Sequence, residues 1–130
     1  MAEYLEQSEQ QKSRAYSPAV ITQGGKTVWL AGQTATRDEQ GNDISGNFEA
    51  QVRTIFSLLD KTLKRAGGSL ANMVTMTVFI IDPRHGDIFV DMRKGFFPGG
   101  NHPASALITV SNFARPGMLI EIQGIAVIGG

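Results

Sequence analysis

Glu121 and Gln123 stand two residues apart in HPASALITVSNFARPGMLIEIQGIAV, His102 to Val127, the stretch that carries most of the residue types able to do chemistry. Read as two strands of alternating side chains, Ala104 to Val110 and Met118 to Ile128, it puts Glu121 and Gln123 on one face with Leu119, Ile125 and Val127. Ser105 shares a face with Leu107 and Thr109. A carboxylate, an amide and a hydroxyl among aliphatic residues are costly to bury unpaired, so the cluster is either hydrogen-bonded structure or the polar floor of a pocket. Glu121 can act there as a general acid or base, or serve as an ion-pair or backbone partner in a subunit seam. Gln123 and Ser105 can hold a water or a carbonyl but cannot move a proton near neutral pH. Arg14 and Arg115 can each clamp a carboxylate through two hydrogen bonds, or remain surface arginines. His102, just before Pro103, and His85 read as loop residues.

Other chemistries are excluded by what is missing. The sequence has no cysteine, hence no thiolate nucleophile or thiolate metal site, and two histidines are too few for a zinc site. No glycine-rich phosphate fingerprint lies between a strand and a helix, and there is no G-x-S-x-G elbow. Tyr4, Tyr16 and Trp29 make no stacking platform with interleaved basic residues. Twelve basic and twelve acidic side chains cancel, so no global field draws nucleic acid or an anionic membrane. The N-terminus, MAEYLEQSEQQKSR, lacks the apolar core of a signal peptide, and a cytoplasmic protein is expected.

The 130 residues fit one domain, 1–130, with residues 1–12 expected as a loosely held polar arm. Two short apolar stretches around Gly24 and Gly25, between Ala19 and Gln33, predict a hairpin. Asn47 is a good N-cap, and Phe48, Val52, Ile55, Phe56, Leu59 and Leu63 recur at helical steps until Gly67 and Gly68. Met73 to Ile81 is apolar on both alternating sets, as in a central strand. A second helix is predicted from about Asp87 to Phe97, with Ile88, Met92 and Phe96 on one face and Phe89 and Phe97 beside them. The last two strands then form a second hairpin. This order predicts an α+β two-layer sandwich of the split βαβ type, with two helices covering one sheet face. Val74, Val78, Leu107, Ile125 and Val127 suggest that the other face is apolar too, which predicts an oligomer with the polar cluster near its seam.

Several stretches together resemble the Rid family (reactive intermediate deaminase, also called the YjgF or L-PSP endoribonuclease-like family). They are AGQ at Ala31 to Gln33, RAGGSLANMV at Arg65 to Val74, TVFIID at Thr77 to Asp82, GFFP at Gly95 to Pro98, HPAS at His102 to Ser105 and LIEIQGIAV at Leu119 to Val127. The resemblance runs from about Ser17 to Ile128. It implies a chorismate mutase-like fold, a mixed sheet with two helices on one face, assembled as a homotrimer with clefts at the subunit interfaces. It implies cofactor-independent hydrolysis of enamines and imines such as 2-aminoacrylate, with release of ammonia. The family's carboxylate-gripping arginine of P-A-R-S falls on Ser105, its cysteine on Leu107, its water-placing acidic residue on Gln123 and an asparagine of the second helix on Val90. The cleft tyrosine falls near Pro18, with Tyr16 as a stand-in, and Gly32 of AGQ joins the lining.

A buried substrate carboxylate without its guanidinium loses on the order of several kcal/mol, so 2-aminoacrylate is not the expected substrate. The expectation is a divergent hydrolytic deaminase acting on another enamine or imine, of which a 2-aminomuconate-type catabolic intermediate is one candidate. Glu121 and Gln123 would be catalytic, with Ser105, Arg14, Arg115, Gly32 and Tyr16 binding substrate, and no metal or cofactor. The alternatives are a non-catalytic trimer that binds a small metabolite and an endoribonuclease, for which no histidine pair or basic groove is present.

Overall fold

The computed structural model describes residues 2–130. In chain order it contains β1 (Ala2–Tyr4), α1 (Glu9–Arg14), β2 (Val20–Thr22), β3 (Lys26–Trp29), α2 (Phe48–Arg65), β4 (Met73–Ile80), α3 (Gly86–Phe96), β5 (Ala104–Thr109) and β6 (Ile120–Ile128). The expected α+β class, a mixed sheet with helices on one face, is what forms.

Helix α2 starts and stops where its sequence says. The Asn47 side chain accepts the Ala50 N–H at 3.1 Å. At the other end Gly67 takes φ 93°, which lets Gly67 N–H reach the Lys64 carbonyl at 3.1 Å and Gly68 N–H the Leu63 carbonyl at 2.9 Å. This six-to-one closure satisfies carbonyls the helix would otherwise leave open. Its buried stripe is the predicted one, Phe48, Val52, Ile55, Phe56, Leu59 and Leu63. The Phe56 ring stacks on Phe96 at 4.3 Å and faces Phe89 at 6.1 Å, joining α2 to α3.

The four-stranded sheet runs β3-β6-β4-β5, with β4 and β5 parallel and the other pairs antiparallel. Neither predicted hairpin forms. β5 and β6 are separated by β4, because β4, α3 and β5 make a parallel crossover and the connection 110–119 is far longer than a tight hairpin loop. β2 pairs with β1 instead of β3, so the turn at Gly24 (φ 66°) and Gly25 (φ 78°) carries the chain from a two-stranded sheet to the larger one.

The expected loose arm is also structured. β1 pairs with β2 from Ala2 opposite Thr22 to Tyr4 opposite Val20. Ser8 and Gln11 cap α1 reciprocally, Gln11 N–H donating to Ser8 Oγ at 3.2 Å and Ser8 N–H to Gln11 Oε1 at 2.9 Å. That S-x-x-Q pattern is a helix-start signature readable in the sequence, outweighed by the polar composition around it.

Register partners share a sheet face, which sorts the side chains. Met76, Val78 and Ile80 of β4 and Ile120, Ile122 and Ala126 of β6 are buried under the helices. Ser105 pairs with Met76 and Leu107 with Val78, so both lie on this helix-covered side. Thr75, Thr77, Phe79, Glu121, Gln123 and Ile125 lie on the other side, where Trp29 is 76% exposed. The centre of the open face is therefore threonines and an amide with an aliphatic and aromatic surround, not the Val78 and Leu107 surface expected. In α3 Met92 and Phe96 pack against the core with Phe89 buried beside them, as predicted, but Ile88 is exposed and Val90 and Arg93 are buried. Among the described residues, no helix is long and apolar enough to cross a membrane.

Candidate functional site

α3 carries an arginine in its buried stripe. Arg93 follows Phe89 by four residues and precedes Phe96 by three, so it points inward with them. Its guanidinium carbon stands 5.0 Å from the centre of the Phe89 ring, and only 2% of the residue is exposed. Nη1 donates to Ser105 Oγ at 2.7 Å and Nη2 to the Arg14 carbonyl at 2.9 Å, while the buried Nε has no partner. Among the described residues no carboxylate pairs with it. Burial, and then the nearby Arg14 charge, push its pKa down from the ordinary guanidinium value to about 10, which leaves it cationic at neutral pH.

Arg93 lines a cavity of about 190 Å³ with Arg14, Tyr16, Val90, Ser105 and Leu107. Local structure explains how the chain brings these together. α1 ends at Ala15, which takes the left-handed conformation (φ 58°) and is fully buried, turning the chain toward β5. Ser17 then runs beside Ala104 in a parallel bridge, its N–H donating to the Pro103 carbonyl at 3.2 Å and its Oγ–H to the His102 carbonyl at 2.6 Å. This fastening sets Tyr16 against the cavity. Ser105 Oγ accepts from Arg93, so its own proton is free to donate to a ligand. At the mouth, Arg14 Nη1 meets Asp87 Oδ1 at 2.6 Å, with the Asp87 side chain 87% exposed. His102, buried behind the cavity, has its pKa lowered by burial and then by the Arg93 and Lys94 charges.

The remaining candidates lie elsewhere. Glu121 is half-buried on the open sheet face, beside a concavity of about 210 Å³ that it lines with Phe79, Val110, Asn112 and Phe113. Gly32 sits over it: a Cβ there would overlap the Glu121 carboxylate. Two backbone hydrogen bonds between Gln33 and Ile122, at 2.8 and 3.1 Å, hold that loop in place. Gln123 is on the same open face, in a shallow region of about 270 Å³ with Trp29, Thr75, Thr77 and Ile125. Arg115 is exposed in the connection before β6 and does not line the Arg93 cavity. Thus Ser105, Arg14 and Tyr16 come together, Glu121 and Gly32 come together, and the two groups occupy opposite faces of one sheet. The single cluster of Ser105, Glu121 and Gln123 expected from the sequence does not exist within a protomer.

Sequence reasoning missed Arg93. The signal was there: a charged residue spaced four after Phe89 and three before Phe96 must enter the core of an amphipathic helix or break its stripe.

Fold and cavity together define a two-layer α+β protein with a small pocket floored by a guanidinium. The chain belongs to the endoribonuclease L-PSP family, whose model matches residues 7–128. A RutC family protein of Pyrococcus abyssi is 28% identical over 111 residues, covering 85% of this chain and 84% of that one. Protein DfrA of Myxococcus xanthus is 32% identical over 113 residues, covering 86% and 84%. In structure, a Rid-family protein of unknown function from Yersinia pestis superposes with a TM-score of 0.86 at 23% identity, covering 98% of both chains. A putative endoribonuclease L-PSP from Entamoeba histolytica gives 0.70 at 28% identity, covering 88% of both.

Proposed function

We propose that this chain is a Rid-type hydrolase that removes the amino group of an unsaturated small molecule, working in the cytoplasm as a homotrimer without a cofactor. The observation that carries this is Arg93, a buried guanidinium with no carboxylate partner among the described residues, lining a cavity with a free hydroxyl beside it. An isolated buried charge is costly, and the structure tolerates such a group most readily where an external anion completes it. The strand position of the family arginine is Ser105, and a helix arginine reaches across to that serine. The anion-gripping function is thereby supplied from α3, and the substrate is an enamine or imine carboxylate, with a 2-aminomuconate-type intermediate as one candidate.

In this reading a carbon-protonated enamine is an iminium. Water adds its oxygen to the iminium carbon and loses a proton, and the carbinolamine then breaks its C–N bond to leave a carbonyl compound and ammonia. Arg93 and Ser105 hold the carboxylate. A carboxylate is needed to place the water, and the Arg93 cavity has only Asp87 at its mouth, already paired with Arg14. Glu121 under the Gly32 loop is the stronger candidate than Gln123, reaching the cavity from a neighbouring subunit. The exposed Trp29 and the aliphatic rim of the open sheet face support burial of that face between three copies.

The test is ammonia release from a panel of enamines and imines generated in situ. The expected result is a rate above buffer for at least one carboxylate-bearing compound, lost in Ser105→Trp, which fills the cavity. Background rates across the panel would overturn the hydrolase reading.

Among the described residues no unpaired carboxylate lines the protomer's own cavity, which favours one alternative, a non-catalytic trimer that binds a small metabolite. Thermal stabilisation by a compound recovered unchanged would mark it. Among the described residues no histidine lines this cavity, which gives ribonuclease chemistry no support.

A further inference from the structure

We infer that the Arg93 cavity recognises a short molecule with two carboxylates, one seated on Arg93 at the floor and the other on Arg14 at the mouth. This rests on the reading of that cavity as the ligand site and deepens it.

Three observations carry it. First, two guanidiniums from different elements, α1 and α3, line one small cavity. They are mechanically linked, since Arg93 Nη2 donates to the Arg14 carbonyl at 2.9 Å, so the floor charge and the backbone bearing the mouth charge keep a fixed relation. Second, the two are differently committed. Arg93 is buried with Nε unpartnered. Arg14 is held by Asp87, whose side chain is 87% exposed, and ion pairs with so solvated a partner are weak enough for a ligand carboxylate to replace. Third, Val90 and Leu107 also line the cavity. Two cationic groups and aliphatic walls in one small cavity suit a short hydrocarbon spacer carrying an anionic group at each end. A monocarboxylate would satisfy Arg93 and leave Arg14 on Asp87. Like charge also bears on the pair: Arg14 disfavours the charged form of Arg93, a repulsion that two ligand carboxylates relieve better than one.

The experiment is calorimetric titration of the full chain with unreactive acids of matched length, butanoate against succinate and hexanoate against adipate. One dicarboxylate is expected to bind on the order of tenfold more tightly than its matched monocarboxylate, the contribution of one charge-assisted contact. Arg14→Gln should remove that preference, Arg14→Lys should keep part of it, and Asp87→Asn, which frees Arg14, should enlarge it. Arg93→Gln should weaken both classes. Equal affinities for the two classes would overturn the inference, as would Arg14→Gln weakening both alike or no binding by either class. Dicarboxylate preference without ammonia release from any enamine would leave this inference standing and remove the hydrolase. Turnover that ignores the second carboxylate would do the reverse.

Discussion

Replacing Arg93 with methionine should make the protein more stable and unable to bind anions. The displacement of the Arg93 pKa from the ordinary guanidinium value down to about 10 corresponds to on the order of 3 kcal/mol disfavouring its charged form in the folded state. Methionine removes that penalty and fills most of the volume. It loses the packing of the guanidinium on Phe89 and leaves the Arg14 carbonyl without its donor, about 1 kcal/mol each, while the Ser105 hydroxyl can rotate to another partner. The net is a gain of roughly 1–2 kcal/mol, within the range seen when buried ionic groups give way to apolar ones. For a chain of this size that raises Tm by roughly 3–8 °C. The assay is thermal and urea unfolding of both proteins at one fixed concentration, with and without the dicarboxylate that binds best. The pH dependence has a definite sign. Above about pH 10, and below the ordinary guanidinium pKa, the unfolded chain keeps the Arg93 proton while the folded protein loses it. Stability of the native protein therefore rises with pH in that window relative to the variant, and the gap between them closes. A variant less stable than the native protein by 2 kcal/mol or more would refute the reasoning. It would mean that the Arg93 charge is already compensated, by a neighbouring subunit or by contacts worth more than those counted.

Two further outcomes follow from other parts of the molecule. Gln51 is fully buried on α2, where Nε2 donates to the carbonyls of Ile44 (3.0 Å) and Gly117 (2.7 Å) and Oε1 accepts the Leu119 N–H (2.9 Å). Gln51→Leu should cost about 1–3 kcal/mol in urea unfolding, because the Leu119 N–H loses its acceptor while the Ile44 and Gly117 carbonyls keep the N–H groups of Asn47 and Gly46, and no measurable loss would show that water replaces the amide. Trp29, 76% exposed on the open sheet face, should lie in the subunit seam. Trp29→Asp is expected to shift the sedimentation coefficient from trimer toward monomer, and a native protein that already sediments as a monomer would remove the seam altogether.

Local patterns were enough for α2, where an N-cap, a stripe of six apolar residues and a terminating glycine pair all agree. They were enough for β4 and for the alternation along β6, and the α+β class follows from their order. Family membership was legible too, since it rests on short strings of residues and not on where they meet. The N-terminal segment was misread because composition argued for a loose arm while its pairing partner, β2, lies some fifteen residues away.

Which side chains face one another is a different kind of question. Alternation within a strand gives two faces but not which face of one strand joins which face of the next; strand order and register settle that. Insertion of β4 between β5 and β6 put Ser105 beside Met76 under the helices and Glu121 beside Phe79 in the open. Arg93 became the floor of the cavity only because α3 turned its Phe89 and Phe96 stripe inward over β5. The amino-acid order by itself determined α2, α3, the strands of the larger sheet and the family. Contacts between residues distant in sequence, made by sheet pairing and helix packing, decided which charge is buried and which residues surround it.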